Sequence, residues 1–273
     1  MTDLLLSTDA RGVATLTLNR PERHNAFDEA IVARLTGALR KLAEDDAIRV
    51  LVIRGAGRSF SAGGDIEWMR RMSGASFEDN LNDARALAEM MGLLDNFPKP
   101  TIAFVHGAAY GGGVGIVACC DIAIATERAT FCLSEARLGI IPAIIGPFVI
   151  RAIGARQARR LMLTAETISA ARARSIGLVH EAAPEGTAND LLAGIVDALL
   201  RCAPGAQAQA KTCIARDAGR TIDECLAQES AHLLATLRAS SEGREGLSAF
   251  LEKRVPKWAG GESTGDVSQA ADR

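Results

Sequence analysis

The sequence predicts an α/β chain that gives way to a helical module, and three observations carry that reading. Short apolar or β-branched runs alternate with helical stripes as far as Pro147. The runs are mostly apolar throughout, as strands covered on both faces are. Beyond Pro147 nearly every segment repeats its apolar residues at helical spacing.

Val13 to Leu18 reads as a strand that stops at Asn19-Arg20-Pro21. Asp28 then starts a helix, with Ile31, Leu35, Leu39 and Leu42 on its apolar stripe and Arg34, Arg40 and Lys41 on its wet side. Val50 to Ile53 follows as a covered parallel strand. A glycine-bearing loop from Gly55 to Asp65 leads into helices near Ile66–Met72 and Asn80–Leu94, then into a strand at Thr101–Val105. Gly111-Gly112-Gly113 opens a helix to Cys120, and Asp121 to Ala125 is the next strand. This alternation implies right-handed crossovers and a mostly parallel sheet. Helices are expected over 148–153, 155–163, 188–202, 206–215, 222–240 and 244–253, with strand only around Leu178-Val179-His180. The stretch 259–273, rich in Gly, Ser, Ala and Asp, reads as a mobile tail.

Composition narrows the function. A chain of 273 residues, 48% of them hydrophobic, suits one large core with an appendage. Its 31 basic and 33 acidic residues nearly cancel and form no basic block, so no nucleic-acid partner is expected. The opening MTDLLLSTDARG lacks the features of a signal peptide, and no run approaches the roughly 20 apolar residues that span a bilayer; a cytoplasmic protein with no membrane partner is expected. The six cysteines contain no Cys-x-x-Cys and read as free thiols. The four histidines form no ligand pair, so no metal is expected.

Three segments hold residues suited to chemistry. Arg58-Ser-Phe-Ser-Ala-Gly-Gly-Asp65 leaves a strand and enters a helix through small residues, a setting that presents free N–H groups to an anion or developing oxyanion. It also suits an ordinary βα loop with Asp65 as N-cap. His106-Gly-Ala-Ala-Tyr-Gly-Gly-Gly-Val-Gly115 repeats that setting, while the spacings of dinucleotide folds, P-loops and nucleophile elbows are all missing. In the third, Glu135 stands among apolar and small residues, and is either paired with a cation such as Arg137 or tuned for proton transfer. His106 and Tyr110 read as a core histidine and a pocket-mouth aromatic, and Arg70-Arg71 as a solvated face.

Together, Arg20-Pro21 with Asn25-Ala26, Phe60 to Asp65, Gly107-Ala-Ala-x-Gly-Gly-Gly, Cys120-Asp-Ile-Ala and Glu135 to Pro142 resemble the crotonase (enoyl-CoA hydratase/isomerase) superfamily. The resemblance implies a spiral of ββα repeats over 1–200, with CoA-binding and active sites, a helical C-terminal trimerisation module over 201–258 and the tail from 259. It implies an acyl-CoA substrate whose coenzyme A is no separate cofactor, and a homotrimer or homohexamer. Gly64 and Gly112 would hold the thioester oxygen. Arg23, Ala26, Ala62, Asp65 and Ile66 would line the CoA, Phe250 and Lys253 would touch it, often a neighbour's, and Glu135 would move the proton. Gly115 stands where two-glutamate hydratases carry their first carboxylate. That leaves a one-glutamate hydratase, an isomerase or an inert CoA-ester binder. The wording around Asn80 to Met90, Leu133 to Gly139 and Pro142 to Gly154 is similar to bacterial 3-methylglutaconyl-CoA hydratases of leucine degradation, which favours hydration.

Overall fold

The computed structural model describes residues 3–260. Two compact units divide the chain, Met1–Val196 and Asp197–Arg273.

In the first unit, strands β1 (Leu4–Thr8), β2 (Val13–Leu18), β3 (Val50–Gly55), β4 (Thr101–Val105), β6 (Ile122–Thr126) and β9 (Glu181–Ala183) form one sheet in that order. Only the β1–β2 edge pair is antiparallel. Strands β5 (Ala108–Tyr110), β7 (Thr130–Cys132) and β8 (Ile168–Ser169), the last running into α6 (Ala170–Ser175), form a second, three-stranded sheet. A long strand, a short strand and a helix therefore recur: β4, β5 and α4 (Gly112–Cys119), then β6, β7 and α5 (Gly146–Thr164). The turn before them has β3, an isolated parallel bridge at Ser61 to Ala109, then α2 (Ile66–Ser73) and α3 (Phe77–Asp95). This is the ββα spiral that the resemblance implies.

Local chemistry explains the elements. Asp28 caps α1 (Glu29–Glu44) by accepting the Ile31 N–H, and Ile31, Leu35, Leu39 and Leu42 are buried. Arg40 pairs with Glu89 where α1 lies along α3. Gly154, with φ at 74° and ψ at 155°, breaks α5 into the two helical segments expected on either side of it. One expectation is corrected: the strand sought at Leu178–His180 forms at Glu181–Ala183 instead. His180 binds Ala123 through both its N–H and its Nδ1, so the ladder proper starts one residue later. The core runs from Ala14 and Leu16 through Leu51, Ile53, Phe60 and Met91 to Val105 and Phe131.

In the second unit, α8 (Pro204–Asp217), α9 (Glu224–Ala239) and α10 (Ser241–Leu251) follow the end of α7 (Glu185–Arg201). Glu242 accepts the Gly205 and Ala206 N–H groups at the start of α8, placing a carboxylate where the helix leaves its amides unpaired. Trp258 donates to the Arg201 carbonyl. Of the expected tail, residues 261–273 lie outside the described residues. The six cysteines form no disulfide, and Cys119, Cys120 and Cys132 are buried. Among the described residues, no helix is long and apolar enough to cross a membrane.

Candidate active site

The segment 20–28 lies beside the glycine loop that precedes α2, and backbone hydrogen bonds join them in register. His24 accepts the Ala62 N–H at 2.9 Å, Phe27 donates to the Gly63 carbonyl at 2.7 Å, and Asp65 donates back to the Phe27 carbonyl at 2.8 Å. Buried Asn25 makes this path possible. It holds φ at 55°, a left-handed value that asparagine tolerates, and its amide donates to Ala56 and Ser59. Arg20, also buried, grips Asp28 at 2.7 Å and Asp65 at 3.4 Å.

Of the residues expected to line a CoA, Arg23, Ala26, Ala62, Asp65 and Ile66 all fall on these two adjacent segments. Asp65 is buried and caps α2 by accepting the Glu67 and Trp68 N–H groups, as its loop reading allowed. Arg23 salt-bridges Asp65 and Glu67, and burial alone would raise the Asp65 carboxyl, but the Trp68 N–H and Arg23 together hold it below the usual aspartate range. Ile66 is 72% exposed at the start of α2, an unusual position for so apolar a side chain. Phe250, exposed near the end of α10, and Lys253, just past it with φ at 53°, belong to the second unit.

The second glycine run meets the first. Ser61 donates to Ala108 and accepts from Tyr110, so the two loops form a short parallel bridge. Beyond it Gly63 and Gly111 come together: a Cβ built on Gly111 (φ +48°) would lie 3.7 Å from the Gly63 Cα. Peptide geometry then aims the neighbouring amides. In a trans peptide the C=O and N–H point opposite ways. The Gly63 carbonyl faces Phe27, so the Gly64 N–H points away from it; the Gly111 carbonyl turns into α4 to accept from Val114 and Gly115, so the Gly112 N–H points out of the helix start. Neither N–H donates to an acceptor among the described residues. Both stand at helix entries, where the backbone dipoles favour negative charge, and α4 is buried along most of its length.

Glu135 opens a short helical turn, Glu135–Leu138, and reaches the same place. Its Oε1 lies 3.3 Å from where a Cβ on Gly111 would stand, and its Oε2 is buried with no hydrogen-bond partner among the described residues. Burial pushes its carboxyl above the ordinary glutamate value, only partly opposed by its own backbone N–H. Arg137 is not its partner: that guanidinium donates to the Ala165 carbonyl at 2.6 Å. Of the two readings the sequence left for Glu135, the ion pair with Arg137 is therefore not the one that forms.

Tyr110, His106 and Arg71 have structural work. Tyr110 directs its hydroxyl to Thr130 at 3.3 Å. His106 binds the Gly57 carbonyl through Nε2, and burial lowers its pKa. Arg71 pairs with Glu29 on an exposed face. No group of three or more metal-ligating side chains occurs among the described residues. Three residues of the site, Phe27, Ile145 and Met91, gave no sequence signal. Ile145 and Met91 fill the space beside Gly115, where a Cβ would meet the Ile145 Cγ2 at 2.4 Å and the Met91 Cε at 2.8 Å.

The family model described as enoyl-CoA hydratase/isomerase matches residues 8–261. The chain is 36% identical over 261 residues to the 2,3-dehydroadipyl-CoA hydratase of Escherichia coli strain K12, covering 95% of this chain and 100% of that one. It is 33% identical to the 1,2-epoxyphenylacetyl-CoA isomerase of the same strain, with the same coverage. Among solved structures, an enoyl-CoA hydratase from Shewanella pealeana superposes with a TM-score of 0.91 at 42% identity, over 94% of this chain and 96% of that one.

Proposed function

The chain belongs to the enoyl-CoA hydratase/isomerase family, and from that premise we propose that it adds water across the C2=C3 bond of an enoyl-CoA with Glu135 as its one proton-transfer group. Glu135 takes a proton from water, the hydroxide oxygen bonds to C3, and the π electrons move through C2 onto the thioester oxygen. The Gly64 and Gly112 N–H groups receive that oxygen as it becomes an enolate. Protonated Glu135 then returns its proton to C2. Donors aimed at a developing oxyanion are each worth about 100- to 1,000-fold in rate. The observation that carries the reading is the buried Oε2 of Glu135, without a hydrogen-bond partner among the described residues, beside two helix entries whose N–H groups meet no acceptor among those residues. An inert binder has no use for an unpaired buried carboxyl.

The substrate we propose is 3-methylglutaconyl-CoA or a related branched enoyl-CoA, which the wording of 80–90, 133–139 and 142–154 supports. Arg23, Ala26, Ala62, Asp65 and Ile66 would hold the CoA arm, Phe250 and Lys253 would touch a CoA, often a neighbouring copy's, and the coenzyme belongs to the substrate. A second reading rests on Gly115: with Ile145 and Met91 filling that space, a second carboxylate has no room there. One glutamate moving a proton between C2 and C4 is the chemistry of a double-bond isomerase. The proposed assembly is a cytoplasmic homotrimer or dimer of trimers, supported by exposed apolar side chains such as Ile140 and Ile141 in the first unit and Leu234 and Leu247 in the second.

Crotonyl-CoA and 3-methylglutaconyl-CoA separate the readings. A hydratase bleaches the conjugated enoyl absorption of at least one and forms a 3-hydroxyacyl-CoA. Formation of an isomeric enoyl-CoA without hydration would transfer the assignment to isomerase, and no turnover of either would overturn catalysis altogether.

A further inference from the structure

Phe27 lies between the two glycine loops and touches both. Its backbone brackets Gly64 in a parallel bridge, donating to Gly63 at 2.7 Å and accepting from Asp65 at 2.8 Å. Its ring lies against Gly112: a Cβ built on that glycine would meet the ring Cδ2 at 2.7 Å and Cε2 at 2.8 Å. Phe27 is itself buried, and its neighbour Asp28 is gripped by Arg20, so neither its backbone nor its ring is free to yield. One residue thus fixes Gly64 through hydrogen bonds and Gly112 through van der Waals contact. The other links between the loops are the Ser61–Ala109 bridge, the approach of Gly63 to Gly111 and the packing of Gly113 on Ser61, where a Cβ would meet the Ser61 carbonyl oxygen at 2.9 Å; at Gly112 itself the Phe27 ring supplies the contact.

We propose that Phe27 is a positioning residue that sets the spacing between the Gly64 and Gly112 N–H groups, its ring acting as the stop against which α4 seats. This rests on the reading of those two amides as the thioester oxygen's donors. Misplacing a reacting group by about an ångström costs on the order of 100-fold in rate. The effect belongs to kcat, because the CoA arm is held by other residues.

The test uses Phe27→Leu and Phe27→Met, which keep an apolar filler and so preserve folding while withdrawing the ring face from Gly112. Turnover is read with crotonyl-CoA. Butyryl-CoA carrying ¹³C at the thioester carbon, which cannot be hydrated, is bound for infrared difference spectra. In the wild type the bound carbonyl band moves below its solution position, because two N–H donors polarise it. In the variants kcat falls roughly 10- to 100-fold, butyryl-CoA affinity stays within about twofold, and the band returns part of the way toward solution. Folded variants with wild-type kcat and wild-type band overturn the proposal. So does a fall in kcat matched by an equal loss of affinity with the band unmoved, which is the signature of general packing. A wild-type band that never leaves its solution position overturns the oxyanion reading itself, and the role of Phe27 with it.

Discussion

The Cβ that Gly115 lacks would stand 2.4 Å from the Cγ2 of Ile145, well inside contact distance. In a helix interior glycine-to-alanine ordinarily gains about 1 kcal/mol. Here it forces a branched, buried side chain out of its place, and overpacking of this kind costs typically 1–3 kcal/mol. The clash wins, because Ile145 is branched next to its own backbone and has little freedom to turn away. Gly115→Ala is therefore expected to lower stability in urea or thermal melts. Adding Ile145→Ala should recover part of that loss, giving a coupling energy that two independent sites would not show.

The same packing decides what Gly115→Glu can report. A carboxylate at that position must displace both Ile145 and Met91, so the variant is expected to lose stability before it gains any second acid–base group. Its kcat on crotonyl-CoA should not exceed wild type, as a folded-fraction-corrected assay checks. A faster enzyme would show that the space is more pliable than Ile145 makes it.

Asp65 offers a separable test. Its carboxylate caps α2 and also faces Arg20 and Arg23. Loss of a cap typically costs about 1 kcal/mol, and an under-satisfied buried guanidinium adds about 1–3 kcal/mol. Asp28 still holds Arg20, which keeps the second figure at its low end. Asp65→Ala should thus be clearly destabilised, and Asp65→Asn less so, since an amide oxygen can still cap. The Asp65 pKa is depressed in the fold, so its stabilisation is present above the unfolded value of 3.8 and fades as pH falls through the lower folded one. The gap between wild type and Asp65→Asn in melting temperature should narrow on acidification.

Much of this arrangement was legible from single residues. Asp28 and Asp65 announced their helix starts, the separate helical ranges 148–153 and 155–163 met the break in α5, and the runs at 50–53 and 101–105 announced covered strands. The three-residue strands β5 and β7 and the two-residue β8 escaped because so few residues carry no period to read. They make the second sheet, so the residues alone gave alternating α/β, and the spiral came only through the resemblance. At the site, Gly64, Gly112 and Glu135 stood out by type and setting. Phe27 and Ile145 did not, since a buried phenylalanine or isoleucine looks the same whether it fills a core or seats a helix against a loop. Their meaning lies in contacts with Gly112 and Gly115, 85 and 30 residues away in the chain.

Glu135→Gln preserves the shape of the side chain and removes only its proton chemistry. General acid–base groups contribute typically 100- to 10,000-fold, so kcat should fall by that order while CoA-ester affinity holds. No ion pair is lost, because Arg137 donates to Ala165. The carboxyl is raised above its ordinary 4.5 by burial, so between that value and its folded pKa the folded state holds a proton that the unfolded chain has released. Wild-type stability therefore declines as pH rises through that interval and then levels off, whereas the glutamine variant carries no such penalty. Glu135→Gln should accordingly gain in melting temperature relative to wild type from acid to neutral pH. The acid limb of wild-type kcat/KM should lie above that of an exposed glutamate, since the base must be ionised to accept a proton from water. Full turnover in a folded Glu135→Gln protein would remove Glu135 from the chemistry. A melting difference that grew toward acid pH would instead show a carboxylate stabilised in the fold, and would point to a partner for Oε2.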